Sequence, residues 1–124
     1  MKTLTFRQFA GLASAGAIAV VPVAALAHGK LESAVPASGA IVDVAPEALR
    51  LTFNEDLEPT FSTIKVTDAS GTSIAKEKAK VDAANPRVMT VAVPKLASGV
   101  YAVQWAVMTS DSHRTKGTYA FKVK

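Results

Sequence analysis

The 124-residue chain contains no cysteine, which excludes disulfides and thiolate metal ligands together. Thioether donors are scarce as well, since one of the three methionines is Met1. Only two histidines occur, His28 and His113. Aromatic residues make up 6% of the chain, with one tryptophan and two tyrosines, too few for a platform on which a polysaccharide would stack. Nothing after residue 27 has sustained helical periodicity, which argues against a helical domain. Any metal site in this chain must therefore use nitrogen, oxygen or thioether donors.

What is present begins with a leader. Residues 1–27 carry Lys2 and Arg7, then an Ala-rich apolar run from Phe9 to Leu26, then Ala25-Leu26-Ala27, the small-x-small form after which signal peptidase cuts. The run is nearly long enough to serve as an uncleaved anchor. Gly11, Gly16 and Pro22 within it, and the lack of a basic stop-transfer flank, favour cleavage. Only one arginine precedes the apolar run, so the general secretory route is expected.

Cleavage would leave residues 28–124 as one domain whose first residue is His28. That domain has 12 basic and 10 acidic residues, a formal charge of +2, which gives no reason to expect nucleic acid. Lys76, Lys78 and Lys80 alternate with other residues as on a solvated face.

Short apolar alternations separated by turn residues fill the rest. Strands are expected at 30–34, 41–44, 49–53, 63–67, weakly at 74–81, at 88–93, and on both sides of residues 111–113. Asp68-Ala69-Ser70-Gly71, Asn85-Pro86 and the stretch from Pro94 to Gly99 read as turns. About seven short strands in a chain of this size predict an all-β, two-sheet Greek-key sandwich of immunoglobulin-like type. Leu96, Gly99 and Tyr101 fit either a tyrosine corner or an ordinary core tyrosine. Met89 and Met108 fall within strand patterns and read as core residues.

The chemistry concentrates in the stretch from Trp105 to Phe121, where Asp111-Ser112-His113 interrupts two strands. Each residue has a plain reading: Asp111 as a turn cap, His113 as a surface residue bonded to it. Processing, however, would make His28 a chain terminus whose amine and imidazole can chelate one ion. The α-amine has an ordinary pKa near 7.7–8.0, so a metal displaces its proton at neutral pH at modest cost. Two imidazoles, an amine and a carboxylate form a set that suits Cu(II), with zinc as a weaker competitor.

The chain resembles the CopC family of periplasmic copper-resistance proteins. The resemblance rests on His28-Gly29-Lys30-Leu31 with Ser33 and the Pro36–Gly39 turn, on Leu51-Thr52-Phe53-Asn54-Glu55, and on Gly99-Val100-Tyr101-Ala102-Val103-Gln104-Trp105. Ser110-Asp111-Ser112-His113 and Gly117-Thr118-Tyr119-Ala120-Phe121 complete it. It implies a seven-stranded sandwich related to cupredoxin-like folds and a site for one Cu(II) ion at His28, Asp111 and His113. It adds Glu55 as an axial ligand, an acceptor for the amine, or a solvated acid.

Some family members carry a second, Met-rich Cu(I) site. Here residues 70–87 contain neither Met nor His, so no such site is expected. The function implied is a monomeric periplasmic carrier or sequestering protein that hands copper to an inner-membrane transport protein. Two other readings compete with it. One is a histidine-brace copper monooxygenase, disfavoured because Asp111 would fill a coordination position; the other is a metal-free interaction module.

Overall fold

Leu49, Leu51 and Phe53 project to one side of an extended segment because strand side chains alternate, and all three are fully buried. The same alternation builds the rest of the molecule, a computed structural model that describes residues 29–124. The leader and His28 lie outside the described residues.

In chain order the strands are β1 (Leu31–Val35), β2 (Ile41–Val42), β3 (Ala48–Phe53), β4 (Thr63–Thr67), β5 (Lys80–Val81), β6 (Val88–Ala92), β7 (Gly99–Met108) and β8 (Arg114–Val123). A 3-10 turn at Pro59–Phe61 precedes β4. They form two four-stranded sheets, ordered β1-β3-β6-β5 and β2-β8-β7-β4. Consecutive strands β1, β2, β3 and β4 leave one sheet for the other and return, which is the Greek-key pattern expected of a sandwich. The strand count among the described residues is eight rather than seven because β2 and β5 are two-residue pairings at sheet edges. β2 runs parallel to β8, whereas the other pairings are antiparallel.

The two inner faces close on a core that includes Leu49, Leu51, Phe53, Val66, Met89, Val91, Val103, Val107 and Phe121. Burying each such side chain stabilises the fold by about 1.5–3 kcal/mol before the loss of chain entropy is counted. The Phe53 ring meets the Trp105 indole edge to face at 5.1 Å. Gly117 faces the same indole so closely that a Cβ there would stand 2.4 Å from Trp105 Cζ2, so the tryptophan seat requires glycine. Tyr101 stacks on Phe121 at 5.6 Å and donates its hydroxyl to the Ala97 carbonyl at 2.7 Å, the geometry of a tyrosine corner.

Met89 is a core residue, as its strand pattern suggests. Met108, expected in the core, is not. Tyr101, Val103 and Val107 point inward along β7 and are buried, so alternation turns Met108 outward, where it pairs across the sheet with Arg114. Strand β4 ends where Asp68 folds back on itself, its Oδ1 accepting the Ser70 and Thr72 N–H groups at 2.9 and 3.0 Å.

Tyr119 is buried, and its hydroxyl has no hydrogen-bond partner among the described residues. Burial pushes its pKa up to about 12. The neutral phenol is the form the folded state favours, so this contribution is complete below pH 10.0, the ordinary value, and is lost as pH rises through about 12. Urea unfolding is expected to show falling stability over that window. Tyr119→Phe is expected to flatten the fall and leave neutral-pH stability unchanged or raised by up to about 1 kcal/mol. An alkaline loss of the same size in the variant would contradict the assignment.

Candidate metal centre

The long hairpin of β7 and β8 holds its register from Gly99↔Val123 to Met108↔Arg114, and this delivers Thr109 to His113 to one end of the sandwich as a tight turn. The Thr109 N–H donates to the His113 carbonyl and the Ser112 N–H to the Thr109 carbonyl, each at 2.8 Å. Closing so short a loop sends Ser112 to φ 72, a left-handed conformation that costs an L-residue about 1–2 kcal/mol. The result is that Asp111 and His113 stand side by side, with His113 Nδ1 3.0 Å from Asp111 Oδ1. Both side chains are about half exposed, at 46% and 55%, so a solvated ion can reach them.

Thr109 organises this pair from below. It is the next inward position after Val107 on β7, fully buried, yet it carries a hydroxyl. That hydroxyl donates to Asp111 Oδ1 and accepts the His113 N–H at 3.2 Å. The segment after β3 lies alongside: Leu57 bridges Thr109, the Asp56 carbonyl accepts the Ser110 N–H at 2.9 Å, and the Glu58 N–H donates to the Met108 carbonyl at 2.8 Å. Glu55 is half-buried on that same segment.

The start of the described chain is fixed to the same place. Thr115, two residues past His113, donates its hydroxyl to the Gly29 carbonyl at 2.8 Å. Asn54 grips the next residue from both sides, accepting the Lys30 N–H at 2.8 Å through Oδ1 and donating its own N–H to the Lys30 carbonyl at 3.0 Å. Gly29 has φ 63, and a Cβ there would stand 2.5 Å from Thr115 Oγ1 and 3.3 Å from Thr109 Cγ2. Only glycine fits this slot between the two threonines.

Of the four residues singled out in the sequence, Asp111 and His113 are brought together, Glu55 is held on the adjoining segment, and His28 lies outside the described residues. Among the described residues no three His, Asp or Glu side chains gather as a metal-holding group. The Asp111–His113 pair would need at least one further donor to hold a transition metal. Sequence reasoning missed Thr109, Thr115 and the clamping role of Asn54. The signal for Thr109 was a polar residue in the inward row Tyr101, Val103, Trp105, Val107.

Replacing Thr109 by the near-isosteric valine keeps the volume and removes the hydroxyl, leaving the Asp111 carboxylate and the His113 N–H without it. A stability loss of about 1–3 kcal/mol is expected in urea unfolding. No loss would mean that the hydroxyl does not organise the turn.

Comparison with known proteins agrees with this architecture. The family model described as CopC domain matches residues 31–124. Protein YobA of Escherichia coli (strain K12) is 37% identical over 99 residues, covering 79% of this chain and 80% of that protein. Copper resistance protein C of Escherichia coli is 37% identical over 117 residues, covering 88% and 91%. The crystal structure of CopC from Methylosinus trichosporium OB3b superposes with a TM-score of 0.74 at 36% identity, covering 78% of this chain and 94% of that one.

Proposed function

The chain belongs to the CopC family, and from that premise we propose that it binds one Cu(II) ion at its processed N-terminus and the Asp111–His113 turn, and carries or sequesters copper. The observation that carries this reading is the double clamp on Gly29 and Lys30 beside Thr109 and Thr115. Consecutive Cα atoms lie about 3.8 Å apart, which supports the reading that the residue before Gly29 would reach the turn. Cleavage after Ala27 would put the amine and imidazole of His28 there. With His113 and Asp111 they give three nitrogens and one oxygen, the set that Cu(II) prefers among divalent ions. Glu55 adds a carboxylate at the edge of the site, as an oxygen ligand or as the acceptor of the amine.

Copper is the cargo here, and the donors suit holding it more than chemistry on it. A site filled by two imidazoles, an amine and a carboxylate leaves little room for a substrate. Cu(I) prefers thioether or thiolate donors, and this chain has no cysteine and, of the two methionines that cleavage would leave, buries Met89 in the core. Reduction would therefore loosen the ion and favour its transfer to a partner, for which an inner-membrane copper transport protein in the periplasm is the proposed recipient. The protein acts as a monomer in this reading.

Cu(II) titration followed by electron paramagnetic resonance tests it. Protein beginning at His28 is expected to take up one equivalent with a nitrogen-rich spectrum. One extra residue before His28, or His113→Ala, is expected to weaken binding by at least about tenfold and to change the spectrum. An unchanged spectrum in the extended protein would remove the terminal chelate from the account.

A further inference from the structure

The ionic side chains are not spread evenly over the sandwich. Strands β2, β4, β7 and β8 carry four cations, Lys65, Arg114, Lys116 and Lys122, and not one carboxylate. All four cations are exposed, and the strand register puts them on one side. Gln104 pairs with both Lys65 and Thr118, Ala106 with Lys116, and Met108 with Arg114, all at outward positions of β7. Asp43 and Asp111 lie just beyond the strand ends. Asp43 is paired with Lys124 at 3.2 Å and Asp111 with His113, so neither belongs to the face itself.

The same face displays large apolar side chains. Ile41 and Val100 flank Lys122 on its two neighbouring strands and are 62% and 49% exposed. At the opposite end Phe61 is 53% exposed and lies under the Arg114 guanidinium, 5.7 Å from ring centroid to cation. Between the two ends, Ala102, Ala106 and Ala120 keep the surface low. Cations interleaved with exposed apolar groups, without acids, on a broad and shallow face match the chemistry of an anionic bilayer surface. Phosphates take the cations, and the aromatic and aliphatic tips enter the headgroup boundary.

We propose that the outer face of the β2-β8-β7-β4 sheet docks on anionic phospholipid membranes. Arg114 directly follows His113, so this orientation would hold the turn at the membrane edge. The docking itself does not depend on the metal reading, and it is tested on metal-free protein.

The probe is sedimentation with sucrose-loaded vesicles, using protein whose mass confirms that it begins at His28, so that the leader cannot contribute. Each basic residue near an anionic surface strengthens binding by about fivefold. Vesicles of equal parts phosphatidylglycerol and phosphatidylcholine are therefore expected to bind at least about tenfold more strongly than phosphatidylcholine alone, less so in high salt. Lys65→Glu with Lys116→Glu is expected to abolish the difference. Arg50→Glu with Lys80→Glu, the same charge change on the other sheet, is expected to keep most of it. Equal binding to both vesicle types, or equal loss in the two double variants, would overturn the proposal. Retention by polyglutamate without retention by vesicles would also overturn it, in favour of an acidic protein partner.

Discussion

The grip on Gly29 and Lys30 is the contact on which the rest of the molecule's functional geometry depends. A short segment outside the strands is ordered only where its hydrogen bonds repay the entropy of ordering it. Here three hydrogen bonds from two directions, Thr115 on one residue and both faces of Asn54 on the next, hold the segment against the end of the β7–β8 hairpin. Gly29 is the only residue type that fits between Thr109 and Thr115 at that backbone angle. Thr109 then links this segment to the turn, since the residue that Gly29 packs against also bonds Asp111 and His113.

That arrangement explains how a half-exposed turn can hold a defined geometry. His113 and Asp111 lean on each other and on one buried hydroxyl, and the backbone beneath them is tied to Asp56 and Glu58. A ligand group whose orientation is fixed before the ion arrives loses less freedom on binding it. The strain at Ser112 accompanies the shortness of the loop. On the adjoining face, the separation of cations from carboxylates gives the sandwich one side whose field and apolar tips differ from the rest. A net charge as small as that of residues 28–124 does not reveal this.

Much of the fold was legible because period-two alternation is a strong local signal. The alternations Leu49/Leu51/Phe53 and Ile64/Val66 identified their strands and inward faces correctly, and the Asp68 turn fell where its composition put it. The strands expected at 41–44 and 74–81 are present but only two residues long, because β2 and β5 are bounded by partners distant in sequence. Met108 was misplaced because its apolar character suggested burial, whereas the phase of β7 turns it outward. The Asp111–His113 pair could be read from spacing and scarcity. The clamp that holds Gly29 and Lys30 beside it could not, since Asn54 and Thr115 make it through contacts across 24 and 86 positions of sequence. His28 was identified through processing and resemblance, and its place remains a proposal built on its neighbour.

The account turns on whether residue 28 and residue 113 share an ion. Anomalous diffraction at the copper edge, from crystals of the Cu(II)-loaded protein beginning at His28, measures this directly. The account predicts a single peak bonded to the amine and ring of His28, to the ring of His113 and to the Asp111 carboxylate. A peak held by His113 without His28, or by neither, would contradict it.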